Sequence, residues 1–163
     1  MNIFYLDRNQ TECAKAHYDT HVVKMILESA QLLSTAHHLL GGIGPYKKTH
    51  DNHPSAVWVR SNISHYMWLY ILMEELGKEY THRFGKVHKT ILDHSNTLAS
   101  FPRDIKAGEW QEPPLAMPDH CKTENAVEAY RNYYLTEKIN LMRYTNRDAP
   151  WWLQKKIATI PSI

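Results

Sequence analysis

The sequence predicts an all-α fold: a single compact helical domain over residues 1–163, with one long buried helix near the N-terminus and a long irregular loop around 100–122. Three observations lead there. Apolar residues recur at helical spacing over long stretches. Those stretches begin and end at residues that cap or break helices. No two alternating segments are joined by a hairpin turn, and strand-like segments do not alternate with helical ones.

Taken in order, Met1 to Asp7 is short and apolar, with Ile3, Phe4, Tyr5 and Leu6 in succession, and reads as a packed arm or one short strand. From Thr11, read as an N-cap, apolar positions recur through Val22, Met25, Ile26, Ala30, Leu33, Ala36 and Leu40, and Gly41-Gly42 stops the run. This is the long helix. Gly44 to Asn52 reads as a loop that ends where Pro54 opens a helix. The second helical stretch runs from Pro54 to Phe84, with a break at Ser61-Asn62 and a stop at Gly85. A shorter helix follows over Val87 to Ala99. Pro102, Pro113, Pro114 and Pro118 make 100–122 irregular, and a loop of that length inside a compact domain is usually functional or mobile. Thr123 to Leu141 reads as a helix, and Asn146 to Pro150 turns the chain into a short final one.

Length and an apolar content of 43% suit one core of ordinary size. Two cysteines, Cys13 and Cys121, are too few for a disulfide framework, and the first residues lack the pattern of a signal peptide. Lys24, Glu28 and His37-His38 interrupt the longest apolar runs, so no membrane span is expected. The expectation is a soluble protein of a reducing, cytoplasmic setting. A formal charge of +2 offers no global argument for nucleic acid. Eleven histidines, ten tyrosines and five tryptophans offer side chains that stack on bases as readily as they fill a core.

The candidate site is a polar stripe. His17, His21, Lys24 and Glu28 step by four, three and four, which puts them along one helix face amid Val22, Val23, Met25, Ile26 and Leu27. A carboxylate in apolar surroundings beside Lys and His cations is the combination found at acid/base sites, which makes Glu28 the leading catalytic candidate. The same residues also suit the solvent face of an amphipathic helix, with Lys24 and Glu28 as an i,i+4 pair. They suit a helical metal enzyme built on His17, His21 and Glu28 as well, although the paired Glu-x-x-His signature of di-iron bundles is missing. No metal and no cofactor enter the leading reading.

Asp19-Thr20-His21 followed by Glu28 resembles the pyrimidine-dimer DNA glycosylases of T-even phages, the endonuclease V-like family of small helical repair enzymes. Later features follow in a similar order: a His-containing loop opening a long helix that closes in Arg83-Phe84-Gly85, then Glu137-Lys138-Ile139, then Arg147, Pro150, Trp151 and Trp152. The chain also resembles a widespread phage protein family in three strings. These run from Lys47 to Pro54, from Phe84 to Lys89 and from Tyr130 to Tyr134. The first resemblance implies a DNA glycosylase, with or without abasic-site lyase activity, acting on damaged or modified pyrimidines in double-stranded DNA within a bacterial host cell.

It implies Glu28 as the catalytic carboxylate and His21 as its neighbour. In that family an N-terminal amine attacks sugar C1′ to form a Schiff base, and a free amine is a competent nucleophile near neutral pH. Here Asn2 follows Met1, and a residue of that size blocks methionine trimming. The nucleophile would then be the amine of Met1, the side chain of Lys24, or a water activated by Glu28. The arginines that flank the family's glutamate are replaced by Leu27 and Ser29. Contacts to DNA would come instead from Arg60, Arg83, Lys86, Lys89, Arg131 and Arg147, with His17, His50, Asn52, His53, His88, Tyr134, Trp151 and Trp152 beside them. The alternative for several of these is helix capping. A function of another class, non-catalytic capture of a small nucleotide, needs the same rings and cations.

Overall fold

The computed structural model describes residues 2–158. Among these residues there are helices and short 3-10 turns but no strand: α1 (Gln10–Ala16), α2 (Asp19–Leu39), α3 (Pro54–Arg60), α4 (Ile63–Phe84), α5 (Lys89–Leu98), α6 (Ala126–Thr136) and α7 (Trp151–Ala158). The all-α expectation holds. No described helix is long and apolar enough to cross a membrane.

The N-terminal segment is an arm, not a strand. Ile3, Phe4, Tyr5 and Leu6 are all buried, and their backbone is tied to side chains. The Cys13 thiol donates to Phe4 O, and Arg131 Nε donates to Leu6 O at 2.9 Å. Asn2 Nδ2 donates to Ala116 O at 2.9 Å, which fastens the arm to the irregular segment.

The expected helix from Thr11 to Leu40 is two helices. Asn9, not Thr11, is the first N-cap, accepting from Glu12 N–H. The chain then leaves helical geometry at His17 and Tyr18, with ψ of 139° and 153°, before α2 begins. The cause lies far along the chain. Arg83 Nη1 donates to His17 O at 2.7 Å and to Asp19 Oδ1 at 3.0 Å, while its Nη2 donates to Lys15 O at 3.0 Å. Asp19 also accepts from the Thr145 N–H and hydroxyl. The last carbonyls of α1 and the first turn of α2 are thus satisfied by a buried guanidinium and residue 145, which overrides a local periodicity that would have continued.

At 21 residues α2 is roughly 31 Å long at ~1.5 Å per residue. It buries Val22, Met25, Ile26, Ala30, Leu32, Leu33 and Ala36 and packs chiefly on α4, then on α3 and α5. Leu40 ends it, and Gly41 follows at φ +87°, a value that favours glycine. Pro54 opens α3 behind His53, whose Nδ1 accepts from Ser55 N–H at 3.0 Å. The break at Ser61-Asn62 is present, Asn62 capping α4 by accepting from His65 N–H, and Gly85 closes α4 at φ +73°.

The irregular segment is strapped across the α3–α4 junction. Trp58 Nε1 donates to Gln111 O, Gln111 N–H to His65 Nε2, and Asn62 Nδ2 to Glu109 O. Asp104 N–H reaches Leu40 O at the end of α2. α6 is shorter than the expected Thr123–Leu141: Asn125 caps it, and after Thr136 the chain passes into a 3-10 turn at Ile139–Leu141.

Candidate functional site

The first turns of α2 present His21, Lys24, Met25 and Glu28 along one face, and this face is the floor of a cleft of about 250 Å³. Each remaining wall comes from a different part of the chain. The arm supplies Asn2 and Phe4, the cap of α3 supplies His53, the irregular segment supplies Ala116, and α6 with the residues after it supplies Tyr133 and Lys138. Glu28 is the only carboxylate among the described residues that line it. Lys24 is exposed and Lys138 half-buried, with its Nζ 5.3 Å from the centre of the Tyr133 ring.

His21 is held from two sides. Phe4 stacks on it with ring centres 4.3 Å apart and planes 16° from parallel. Its Nδ1 lies 2.6 Å from the Tyr134 hydroxyl. Burial lowers its pKa to about 4, helped by the charges of Lys138 and Lys24, so the ring is neutral at neutral pH. Tyr134 is fully buried and its pKa is raised well above 10 by desolvation, so it keeps its proton. That hydroxyl accepts from Tyr18 N–H, and among the described residues the one acceptor within reach of its buried hydrogen is His21 Nδ1, so the hydrogen goes there. The His21 proton therefore sits on Nε2, and the ring offers the cleft a donor rather than a base.

His53 repeats the arrangement. Its Nδ1 is engaged as the α3 cap, which puts the ring proton on Nε2, and burial lowers its pKa. The cleft thus combines one carboxylate, two ammonium groups and two neutral Nε2–H donors. Such a set can hold an anionic or carbonyl oxygen, form an imine through an amine, and move protons through Glu28.

Of the predicted residues the structure brings together Glu28, His21, Lys24 and His53. Met1 lies outside the described residues, while Asn2, which follows it, lines the cleft. His17 does not share the face. It ends α1 instead of riding on α2 and is completely buried behind Phe4 and Tyr134, with its ring Nδ1 2.6 Å from Cys13 O and its Nε2 without a partner. Desolvation lowers its pKa to about 3. Tyr134 holds His21 from below rather than meeting a ligand. His17, His21 and Glu28 accordingly do not form a ligand set; the one group of three donors found among the described residues lies elsewhere, at His120, Cys121 and Glu137.

Four arginines expected to meet phosphate are engaged within the fold. Arg83 is 2% exposed and bonds Asp19 and Glu79, whose other oxygen is bound by Arg147 at 2.9 Å. Burial alone would raise the pKa of both carboxyls, but bonds from Thr145 and Arg83 to Asp19, and from Arg147 and Arg83 to Glu79, hold them below the usual range. Arg131 bonds Leu6 O and Asp7 and lies over the Trp152 ring, and Arg60 donates to Asp51 O. His88 caps α5 with Nδ1 and donates from Nε2 to Val23 O. Lys86 and Lys89 are exposed, Lys89 paired with Asp93. Asn52 is exposed, and so is His50, which has φ 51° and bonds Thr49. Trp151 is exposed and Trp152 buried, so only Trp151 is placed to meet a partner.

Phe4, Tyr133 and Lys138 were not among the candidates. Phe4 carries no polar signal, and the string from Tyr130 to Tyr134 marks a helix without saying which ring faces the cleft. Lys138 does sit in the Glu137-Lys138-Ile139 string, which was the available pointer. Comparison with models of known protein families, with curated proteins and with solved structures gave no match.

Proposed function

We propose that the cleft is the active site of a DNA glycosylase with abasic-site lyase activity, acting on a damaged or modified pyrimidine. The observation that carries this reading is the convergence of Glu28 with primary amines and neutral histidines in a space the size of one base, at the point where the arm enters at Asn2. A cleft of about 250 Å³ lies below the ~300–1,000 Å³ usual for drug-sized ligands, which suits a single flipped nucleobase better than a whole dinucleotide.

In this reading an amine attacks C1′, the C1′–N bond breaks, and its electron pair leaves with the base, which takes up a proton. Ring opening leaves an iminium at C1′. Glu28 then removes a C2′ proton, and the 3′ phosphate departs by β-elimination. His21 and His53 donate from Nε2 to the base or to the sugar oxygen and do not titrate during the cycle. The amine is that of Met1 or of Lys24; water activated by Glu28 would give base release without strand cleavage.

Incubation with duplex DNA containing an abasic site in the presence of borohydride tests the lyase step. The expected result is a covalent adduct whose peptide map names the amine; Glu28→Gln should keep the adduct and lose strand cleavage. Absence of both adduct and strand cleavage, with no base release from ultraviolet-damaged or base-modified duplexes, would reject it.

The ammonium groups of Lys24 and Lys138 with the two Nε2–H donors also favour a second reading, capture of a small nucleotide through its phosphate. A thermal-shift comparison separates the two, because a ligand that binds only the folded state raises Tm. Stabilisation by nucleotides but not by duplex DNA would favour capture.

A further inference from the structure

On the far end of α6 from its cap, three different donors converge that the cleft does not use. His120 and Cys121 come from the 3-10 turn Asp119–Cys121, and Glu137 is the residue that closes α6. One ligand atom from each lies within 4.8 Å of the others. We propose that His120 Nε2, Cys121 Sγ and the Glu137 carboxylate bind a divalent transition metal of the zinc or cobalt class, with solvent completing a tetrahedral shell.

The donor set selects that class. A thiolate with an imidazole suits a borderline-soft ion, whereas calcium and magnesium require oxygen ligands. The charges match too: a dication balances one thiolate and one carboxylate, while a neutral imidazole adds none. Binding replaces the Cys121 S–H bond by a metal–sulfur bond and releases that proton to solvent.

The scaffold is already ordered around the sulfur. The turn is closed by Cys121 N–H to Pro118 O and Lys122 N–H to Asp119 O, and Asn132 Nδ2 on α6 donates to Cys121 O. The Thr136 hydroxyl donates to Asn132 O, so at 3.4 Å from Sγ it accepts the thiol hydrogen, which deprotonation on metal binding would remove. Cys121 is buried while His120 and Glu137 are exposed, which leaves the fourth position open on the solvent side. His120 Nε2 and Glu137 Oε1 already touch at 2.6 Å. A tetrahedral zinc with bonds of roughly 2.0–2.3 Å keeps its donors under about 4 Å apart, a gap that rotation of the two exposed side chains closes. Asp119 is not part of the set, because it is turned outward to Lys122.

The second cysteine serves as an internal control. Cys13 is completely buried in the core and desolvation pushes its thiol up to about 12, so a thiolate signal reports Cys121. The test is equilibrium dialysis of the reduced, chelator-stripped chain against Zn²⁺ and against Co²⁺, read by elemental analysis and absorption. One equivalent of metal is expected, with a sulfur-to-cobalt charge-transfer band and a rise in Tm. Cys121→Ser should abolish the band. His120→Ala alters a side chain that is exposed and outside the core, and it should weaken binding at least tenfold. Metal below half an equivalent, a cobalt spectrum without the thiolate band, or undiminished affinity in His120→Ala would each overturn the proposal.

Discussion

His21 is the residue whose role the structure alters most. A histidine on a catalytic stripe invites the role of general base, yet burial against Phe4 and the Tyr134 hydroxyl keep it neutral with its proton on Nε2. In the proposed reaction proton transfer then rests on Glu28, and Glu28→Gln should lower lyase turnover by roughly 10²–10⁴-fold while leaving the fold intact, as circular dichroism would verify. Tyr134→Phe removes the hydrogen bond that sets the tautomer and should cost about tenfold in activity with the pH optimum in place, because exchange between neutral tautomers takes up no proton. Two of the buried histidines, His17 and His21, also predict a pH effect on stability. Their ordinary pKa is 6.5, and in the fold they fall to about 3 for His17 and about 4 for His21. From pH 6.5 down to 4 the unfolded chain takes up protons that the folded chain refuses, so stability falls with pH across that window, by up to ~1.4 kcal/mol per pH unit for each group. Urea unfolding at pH 7, 6 and 5 should show this, and His17→Phe should flatten the slope.

Among the elements, the junction of α1 and α2 depends most on distant partners. Arg83 satisfies the end of α1 and the start of α2 at once and is itself balanced by Asp19 and Glu79. Arg83→Met should destabilise the protein by about 3–5 kcal/mol in urea titrations, because it leaves buried carboxylates short of a partner. The same junction shows what the sequence could reveal. The face of α2 was legible, since His21, Lys24 and Glu28 are linked by helical spacing alone. The break before it was not, because it is imposed by residues 83 and 145, more than sixty positions away. His17 was placed on the stripe for the same reason: spacing counts residues through a junction that is not helical. Caps such as His53, Asn62, Gly85 and Asn125 follow local rules, and the boundaries they set fall close to those expected, the C-terminal end of α6 excepted.

In the whole molecule the cleft exists only where five separate segments meet. α2 contributes a preformed row of groups, but the walls around it come from the arm, the α3 cap, the irregular segment and the end of α6, joined through Asn2 to Ala116 and Arg131 to Leu6. Tertiary assembly of this kind leaves no trace in periodicity, which is why Phe4, Tyr133 and Lys138 escaped a reading of the sequence while Glu28 did not. It also places the cationic groups: Arg83 is buried and Arg60, Arg131 and Arg147 are engaged within the fold, while the cations that line the cleft are Lys24 and Lys138. Lys24→Ala with Lys138→Ala should therefore reduce affinity for DNA and flatten its salt dependence by a slope of about 1–2 in log K against log salt, measured by fluorescence anisotropy. The most direct test of the central claim is borohydride trapping on abasic duplex DNA. A covalent protein–DNA adduct mapping to an amine of the cleft is the predicted result; no adduct and no strand cleavage under conditions where the protein is folded would contradict it.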